Sequence, residues 1–269
     1  MPRPPSPPFS ARIRFPHRGW LFDLDGTIYL GEALVPGADT VVAALRAAGR
    51  RVAFLSNKPV QSWDEHARKL TRLGIPTAPE EVINSSLVLA RHLATLDPGA
   101  SVFVIGEPPL IAELEAHGFH VRHDHHVRWV VIAFDRTFDY AKLNTALQAV
   151  RGGARLIATN PDRTCPTADG EIPDCAGMIA AVEAVTGQTV EIVVGKPFSI
   201  ILDVALEALG VPAEQCVVVG DRIETDIVMG RRRGLATVLV LSGITRADDP
   251  RIAEIAPDAV LPSVRELLR

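Results

Sequence analysis

Four short segments carry polar residues whose types and spacing could act together in one chemical site. They are Asp23–Thr27 (Asp-Leu-Asp-Gly-Thr), Ser56–Asn57, Gly195–Pro197 (Gly-Lys-Pro) and Gly220–Asp226, which begins Gly-Asp and ends in Asp. Clustered carboxylates repel one another unless a cation lies among them, and ligands that are all oxygen favour a hard ion such as Mg²⁺. A lysine and free backbone amides beside that ion would bind phosphate. The residues therefore predict a Mg²⁺-dependent phosphoryl-transfer site with a carboxylate nucleophile.

Each of these segments follows a short apolar run, as expected for a loop at the end of a buried strand. The runs are Trp20–Phe22, Val52–Leu55, Val190–Val194 and Cys216–Val219. Apolar residues at helical spacing separate the runs, and strands that alternate with helices imply right-handed crossovers and a parallel sheet. The predicted fold class is therefore α/β, with the four polar segments meeting at the carboxyl ends of the core strands.

The interval 84–189 contains none of these polar strand ends, although it repeats the alternation of strands and helices. Its predicted strands are Val102–Ile105, Val130–Phe134 and Leu156–Ala158. We therefore predict that 84–189 is an inserted α/β domain. It would interrupt a Rossmann-like core domain that is formed by 18–83 and 190–269.

The N-terminal residues 1–17 are predicted to form a flexible, proline-rich tail. Five prolines fall within the first ten residues, and proline lacks the N–H group that helices and sheets need. No apolar segment follows that would form the centre of a secretory signal.

Composition and charge exclude several classes of protein. Apolar residues make up 47% and charged residues 22% of the chain, so it can bury a core and global disorder is excluded. A formal net charge of −4 argues against a general nucleic-acid binder, and no apolar run approaches the roughly 18 residues of a membrane span. Three cysteines without a Cys-x-x-Cys pair favour a reducing compartment, so a cytoplasmic location is predicted.

The four motifs, in this order, resemble those of the haloacid dehalogenase (HAD) superfamily of phosphohydrolases. The insert between the second and third motifs resembles the NagD-like branch (class IIA), which carries a large α/β cap of the C2a type. Ile157–Asp162 and Gly220–Ile227 add to the match, and Gly152–Arg155 together with Asp162-Arg163 resembles AraL-like sugar phosphatases. The resemblance implies a Mg²⁺-dependent phosphatase that hydrolyses a small phosphomonoester, a sugar or polyol phosphate, through an aspartyl-phosphate intermediate.

The same resemblance implies a role for each polar residue of the first motif. Asp23 would be the nucleophile and a metal ligand, and would become the aspartyl phosphate. Asp25 would protonate the leaving oxygen and then activate water, while its backbone carbonyl contacts Mg²⁺. Gly26 would allow close approach of the backbone to the substrate, and Thr27 would add a hydrogen bond.

The other motifs would complete the site. Ser56 and Asn57 would hydrogen-bond the phosphoryl oxygens, and Lys196 would neutralise developing charge and orient the nucleophile. Asp221 would ligate the metal, and Asp226 would support it directly or through water. A homodimer through the cap is a further implication of the resemblance.

Two positions depart from the family pattern. Lys58 follows Ser56–Asn57 where many members carry asparagine; it would help to bind a second anionic group, or would be a solvated lysine at a loop edge. Cys165 lies where pyridoxal phosphate phosphatases carry a histidine; it would face the substrate or be a small buried hydrophobe. Asp162, in the same segment, would help to position the cap and the substrate.

Other functions stay open from the residues alone. A phosphotransferase or phosphomutase would pass the phosphate from Asp23 to a second sugar, and a phosphatase could act instead on pyridoxal phosphate or 4-nitrophenyl phosphate. A regulator that binds a phosphorylated metabolite without turnover would not need Asp25. The expected partner is a small phosphorylated metabolite, with no nucleic acid and no membrane.

Five histidines cluster in His117–His126, where a zinc or nickel site is the alternative to an incidental group in a loop.

Overall fold

The computed structural model of the chain describes residues 14–167 and 170–268. Residues 1–13 of the predicted tail lie outside the described residues. Residues 14–17, which the sequence also assigns to the tail, are packed against the rest of the chain. The Arg14 backbone N–H donates to Leu267 O at 2.9 Å, and the Phe15 ring meets the Trp20 ring edge-on at 6.4 Å. The tail prediction is therefore wrong for 14–17, because an aromatic side chain there covers part of the hydrophobic core.

The described residues form alternating strands and helices. The strands are β1 Gly19–Asp23, β2 Tyr29–Leu30, β3 Ala33–Leu34, β4 Arg51–Ser56, β5 Val82–Asn84, β6 Ser101–Ile105, β7 His120–Val121, β8 Trp129–Ile132, β9 Arg155–Ala158, β10 Thr164–Thr167, β11 Gly170–Pro173, β12 Ile192–Val193, β13 Cys216–Gly220, β14 Ala236–Val240 and β15 Ala259–Leu261. The α-helices are α1 Ala38–Ala47, α2 Trp63–Arg72, α3 Ser85–Leu96, α4 Pro108–Ala116, α5 Tyr140–Arg151, α6 Cys175–Thr186, α7 Ser199–Leu209, α8 Val228–Arg232 and α9 Arg251–Ile255. None of the helices in the described part of the chain has the length and apolar character needed to cross a membrane.

A six-stranded parallel sheet positions three of the four polar segments. Its strand order is β15-β14-β13-β1-β4-β5, and every neighbouring pair is parallel. The central strand β1 is buried throughout, with Leu21 in the hydrophobic cluster on one face and Trp20 and Phe22 in the cluster on the other. The carboxyl ends of β1, β4 and β13 are therefore neighbours at one edge. The predicted parallel α/β fold class is confirmed.

A second parallel sheet lies later in the chain, with the strand order β12-β9-β8-β6-β7. Its edge strand corrects the sequence prediction, which placed Val190–Val194 in the core sheet with the other motif strands. Ile192 and Val193 instead pair with Ile157 and Ala158 of β9. A short apolar run is compatible with a buried strand in either sheet, so the sequence pattern does not determine which strand it pairs with. The domain limits stay a prediction.

One hydrophobic cluster contacts both sheets. Leu21 of β1, Leu202 of α7, Leu89 of α3 and Val131 of β8 belong to it, and all four side chains are fully buried. Each such side chain contributes about 1.5–3 kcal/mol to folding. The shared cluster fixes the two sheets against each other, so loops from one can contact loops from the other.

Candidate active site

The first motif forms a tight turn directly after β1. The Gly26 N–H donates to Tyr29 O at 2.8 Å, and Gly26 has a φ of 90°, in the left-handed region. A Cβ at this position would lie 2.5 Å from Asp221 Oδ2. A side chain is therefore excluded both by the backbone conformation and by the neighbouring carboxylate. The glycine lets the turn pack directly against Asp221.

Lys196 lies between two carboxylates from different parts of the chain. Its Nζ donates to Asp23 Oδ1 and, at 2.7 Å, to Asp226 Oδ1, and its side chain is 4% exposed. Burial on its own lowers the pKa of Lys196, but the charges of Asp226 and Asp23 outweigh it and the net shift is upward. Lys196 therefore stays a cation in contact with the predicted nucleophile.

Three buried carboxylates, those of Asp23, Asp221 and Asp226, converge at the ends of β1 and β13. One oxygen of each lies within 4.8 Å of the others. Burial, and then repulsion from the other two, raises the pKa of Asp221 well above its usual range. Burial also raises the pKa of Asp226, to about 6, although Lys196 opposes the shift. Lys196 offsets only part of this negative charge, so the group fits a hard divalent cation such as Mg²⁺.

The backbone around Asp221 and Asp226 holds both carboxylates in place. Ile223–Ile227 forms one turn of π-helix before α8, a conformation that occurs often at functional sites. The Arg222 N–H donates to Asp226 Oδ2 at 3.2 Å, and the Ile244 N–H donates to Asp221 Oδ2 at 2.7 Å. The backbone thus anchors each aspartate through one of its oxygens.

Asp25 lies beside Lys58 and Cys165. Lys58 Nζ is 3.6 Å from Asp25 Oδ1, and the two side chains are 26% and 24% exposed. Burial on its own lowers the pKa of Lys58, but the neighbouring Asp25 carboxylate outweighs it and the net shift is upward. Burial raises the pKa of Cys165, so it stays a neutral thiol. Lys58 is therefore a cation held against Asp25 rather than a freely solvated lysine.

Ser56 and Asn57 follow β4 and are both buried. Ser56 Oγ accepts from the Lys58 N–H at 3.1 Å. Asn57 Nδ2 donates to Lys196 O and to Asp162 Oδ2, each at 3.0 Å, and its Oδ1 accepts from the Lys196 N–H at 2.8 Å. These bonds use both Nδ2 hydrogens. The geometry therefore favours Asn57 as a positioning residue for Lys196, rather than as a phosphate ligand through this side chain.

The segment 159–174, which connects β9 to α6, contacts these strand ends from the other side. Asp162 Oδ2 accepts from Asn160 Nδ2 as well as from Asn57, again at 3.0 Å. Arg222 Nη1 lies 3.7 Å from Asp162 Oδ1, and Arg222 Nη2 donates to Thr164 O at 3.0 Å. Arg222 received no role from the sequence, although it lies inside the fourth motif. Its contacts join the fourth motif to the 159–174 segment.

Asp174 is a second residue that sequence reasoning missed. It is the N-cap of α6, and its Oδ1 accepts from the Cys175 N–H at 2.5 Å and from Asn160 Nδ2 at 3.2 Å. Burial, with repulsion from Asp162, raises the pKa of Asp174 to about 6. An aspartate before a helical apolar pattern indicates a cap, which is why the sequence alone does not mark it as a site residue.

These side chains line one cavity between the strand ends and the 159–174 segment. The lining residues are Asp23, Asp25, Ser56, Asn57, Lys58, Asp162, Thr164, Cys165, Pro166, Asp174, Lys196, Asp221, Arg222, Thr225 and Asp226. Two predicted substrate-binding residues are not among them. Gly26 packs against Asp221, and Thr27 is fully buried, with no partner for its Oγ1 among the described residues. The individual roles of the predicted site residues stay predictions.

The histidine-rich stretch forms no second metal centre among the described residues. There, the one group of potential ligands close enough to share an ion is Asp23, Asp221 and Asp226. The His125 and His126 rings lie 4.1 Å apart, and His117 Nδ1 contacts Glu113 O at 2.9 Å. The alternative of an incidental loop cluster is therefore favoured.

The chain matches known proteins over most of its length. Residues 20–120 match a family model described as haloacid dehalogenase-like hydrolase, and 193–267 match a second, described as HAD-hydrolase-like. Sugar-phosphatase AraL of Bacillus subtilis is 38% identical over 252 residues, which are 93% of this chain and 92% of that protein. This chain is a haloacid dehalogenase-like hydrolase. An acid sugar phosphatase of Staphylococcus aureus is 34% identical, over 90% of this chain and 93% of that protein.

Solved structures of the same superfamily share the fold of this HAD hydrolase. The p-nitrophenyl phosphatase of Archaeoglobus fulgidus superposes with a TM-score of 0.87 at 33% identity, over 93% of this chain and 98% of that one. A 4-nitrophenylphosphatase of Thermotoga maritima gives a TM-score of 0.88 at 34% identity, over 93% and 96% of the two chains. The resemblance drawn from the four motifs is confirmed, as is the prediction that the chain is an enzyme.

Proposed function

We propose that this HAD hydrolase is a Mg²⁺-dependent phosphatase for a small phosphomonoester, a sugar or polyol phosphate, and that it works through an aspartyl phosphate on Asp23. The observation that carries the proposal is the contact of one buried cation, Lys196, with both Asp23 and Asp226 in a cavity that also contains Asp25. The relatives named for sugar phosphates and nitrophenyl phosphate support this substrate class.

Asp23, Asp221 and Asp226 would hold the metal, and the family resemblance adds the backbone carbonyl of Asp25. The donor set fits Mg²⁺ because it consists of oxygen atoms, is buried and carries excess negative charge. When bound, Mg²⁺ would supply the positive charge that offsets repulsion between these carboxylates and a phosphate.

In the first step, a carboxylate oxygen of Asp23 attacks phosphorus and the bond from phosphorus to the leaving oxygen breaks. Lys196 holds Asp23 in place and offsets charge on the transferring group. Asp25 gives its proton to the leaving oxygen, which departs as an alcohol.

In the second step, Asp25 takes a proton from water. The water oxygen attacks phosphorus, the bond to Asp23 breaks, and inorganic phosphate leaves. The 159–174 segment, held by the Asp162–Asn57 and Arg222–Thr164 hydrogen bonds, limits access of bulk water to the reacting groups.

The test is phosphate release from sugar, polyol and nucleoside monophosphates, pyridoxal phosphate and 4-nitrophenyl phosphate, with Mg²⁺ or with EDTA. We expect Mg²⁺-dependent turnover that Asp23→Asn lowers by about 10³-fold or more, since this variant lacks the nucleophile. Asp25→Ala should keep substrate binding and lose turnover.

Folded protein that turns over none of these esters would contradict the proposal. Phosphate transfer that required an added acceptor sugar would instead point to a phosphotransferase. A cytoplasmic location, the lack of nucleic-acid and membrane partners, and a homodimer through the cap stay predictions.

A further inference from the structure

The two sides of the cavity differ in charge. The lining cations Lys58, Lys196 and Arg222 all lie outside the 159–174 segment. The described residues that line the cavity from that segment include no cation and are Asp162, Thr164, Cys165, Pro166 and Asp174. A phosphate bound at the strand ends would extend its leaving group into the cavity, toward this second side. The leaving group therefore meets two carboxylates.

Of these two carboxylates, Asp162 is already paired. Its Oδ2 accepts from Asn57 and Asn160, and its Oδ1 faces the Arg222 guanidinium. Its negative charge and its acceptor capacity are both used by the protein. Asp162 therefore acts in positioning the segment, and has little left to offer a substrate.

Asp174 differs, because one of its oxygens has no partner. Its Oδ1 accepts from Cys175 N–H and Asn160 Nδ2, but no donor within 14–167 and 170–268 bonds to its Oδ2, and no cation there pairs with it. The residue is only 5% exposed, and it lines the cavity. Asp174 Oδ2 is not one of the fully buried side-chain atoms without a partner, so it is accessible from the cavity, where a ligand or a water molecule can supply the donor.

We propose that Asp174 is a specificity-determining residue that accepts a hydrogen bond from a hydroxyl group of the leaving group. The proposal rests on the proposed function and deepens it: the substrate is a phosphomonoester whose leaving group is uncharged and carries hydroxyls. A hydroxyl donates to a carboxylate, whereas a second anionic group at this place is repelled. Lys58 lies against Asp25, with its Nζ 3.6 Å from Asp25 Oδ1, and makes no ion pair with Asp174.

Three esters of one chain length test the proposal. Propyl phosphate has no hydroxyl, glycerol 1-phosphate has two, and 3-phosphoglycerate carries a carboxylate. We expect the wild type to favour glycerol 1-phosphate over propyl phosphate by about tenfold in kcat/KM, the value of one good hydrogen bond. Asp174→Ala should lose this preference, and Asp174→Asn should raise kcat/KM for 3-phosphoglycerate by about tenfold.

The variants separate substrate choice from folding. Asparagine caps a helix as well as aspartate does, so Asp174→Asn removes the charge and keeps the cap. Asp139→Asn is the matched control. Asp139 caps α5, which has the same length as α6, 12 residues, and Asp139 does not line the cavity. We expect Asp139→Asn to leave the relative kcat/KM values of the three esters unchanged. Retained hydrolysis of propyl phosphate by Asp174→Ala would show that this variant is folded.

The proposal is overturned if Asp174→Ala keeps the wild-type preference for glycerol 1-phosphate, or if Asp174→Asn leaves 3-phosphoglycerate as poor a substrate as before. In either case, hydrolysis of propyl phosphate would still support the proposed phosphatase function. If the wild type hydrolyses no ester of this set or of the wider panel, the proposed function fails, and the inference about Asp174 fails with it.

Discussion

The strand ends and the 159–174 segment face each other across one cavity, but they are built differently. At the strand ends, Asp23, Asp221 and Asp226 are fixed by a lysine, a tight turn and backbone N–H groups. In the 159–174 segment, the groups that line the cavity come from the antiparallel strand pair β10–β11, from Asp162 before it and from a helix cap. Reaction and substrate choice are therefore placed by separate parts of the chain, so one can change without the other.

Buried carboxylates occur on both sides of the cavity, and their partners decide what each side can bind. Lys196 contacts two of the three strand-end carboxylates and leaves a charge that suits a divalent cation. Asp174 forms no ion pair with a lysine or arginine among the described residues, and one of its oxygens has no hydrogen-bond donor there. The first side therefore suits a metal and a phosphate, and the second suits a hydroxyl.

The largest expected effect comes from removing a buried cation on the strand-end side. Lys196→Met leaves Asp23 and Asp226 unpaired, so we expect a loss of about 3–5 kcal/mol in the free energy of unfolding and of about 10³-fold in kcat/KM. Lys142→Met is the control, because its Nζ lies 2.5 Å from the buried Asp135 Oδ2, away from the cavity. It should lose similar stability in urea titrations and keep its activity. An equal loss of activity in both variants would contradict a specific role for Lys196.

The second prediction concerns pH and a buried histidine behind the strand ends. His66 of α2 is fully buried, its Nδ1 lies 3.2 Å from the Tyr29 hydroxyl, and burial lowers its pKa to about 4. As pH falls, the unfolded chain takes up this proton near pH 6.5, before the folded chain does. The histidine therefore lowers stability progressively between about pH 6.5 and 4, by about 3 kcal/mol in all.

The measurement is the free energy of unfolding against pH for the wild type and His66→Asn, which cannot titrate. The difference between the two curves isolates this histidine from the many carboxylates that titrate in the same range. A difference that stays constant from pH 7 to 4 would contradict the prediction. The 159–174 segment contains no histidine, so this acid sensitivity belongs to the strand-end side.

The third prediction is that Mg²⁺ stabilises the protein through the strand-end carboxylates alone. At a concentration one hundred times its Kd, an ion that binds only the folded state adds about 2.7 kcal/mol, which raises Tm by about 5–10 °C. Asp226→Asn should reduce this shift, whereas Asp174→Asn should keep it. Thermal unfolding with Mg²⁺ and with EDTA measures the shift without any substrate. A shift that Asp226→Asn leaves intact would place the ion elsewhere.

The strand-end side could be predicted from the sequence because its residues come in short local groups. Asp23 and Asp25 share one turn, and Asp221 and Asp226 share another, so spacing alone indicates a common site. Lys196 was also found, although its preceding strand β12 pairs in the second sheet rather than the first. Its position is set by the bonds from Asn57, which link residues 139 apart in the chain and leave no local signal.

The 159–174 side was harder to predict for the same reason. Asp174 carries the sequence signature of a helix cap, and its place in the cavity depends on tertiary contacts such as the hydrogen bond from Asn160, 14 residues earlier in the chain. Arg222 stood inside a recognised motif, but only the tertiary structure brings it to Asp162 and Thr164. Conversely, Gly26 and Thr27 belong to a motif of the site, yet packing turns them away from the cavity.

The smallest predicted effect tests whether Arg222 and Asp162 couple the two sides. Their closest atoms lie 3.7 Å apart, farther than the 2.7 Å of Arg155 and Glu191, but both side chains are nearly buried while the second pair is about half exposed. Charges attract more strongly away from water, so burial should outweigh distance. In kcat/KM, a double-mutant cycle of Arg222→Gln and Asp162→Asn should show a coupling of about 1 kcal/mol.

The matching cycle of Arg155→Gln and Glu191→Gln should show no coupling and no loss of activity, because that pair is exposed and does not line the cavity. If the effects of Arg222→Gln and Asp162→Asn simply add, the two residues act independently. The 159–174 segment would then be held to the strand ends by the Asn57 hydrogen bond and the Thr164 carbonyl, without help from the ion pair. A measured coupling would instead show that the fourth motif helps to hold the 159–174 segment at the cavity. Arg222 directly follows the predicted metal ligand Asp221, and its N–H donates to Asp226, the other predicted metal ligand of this motif.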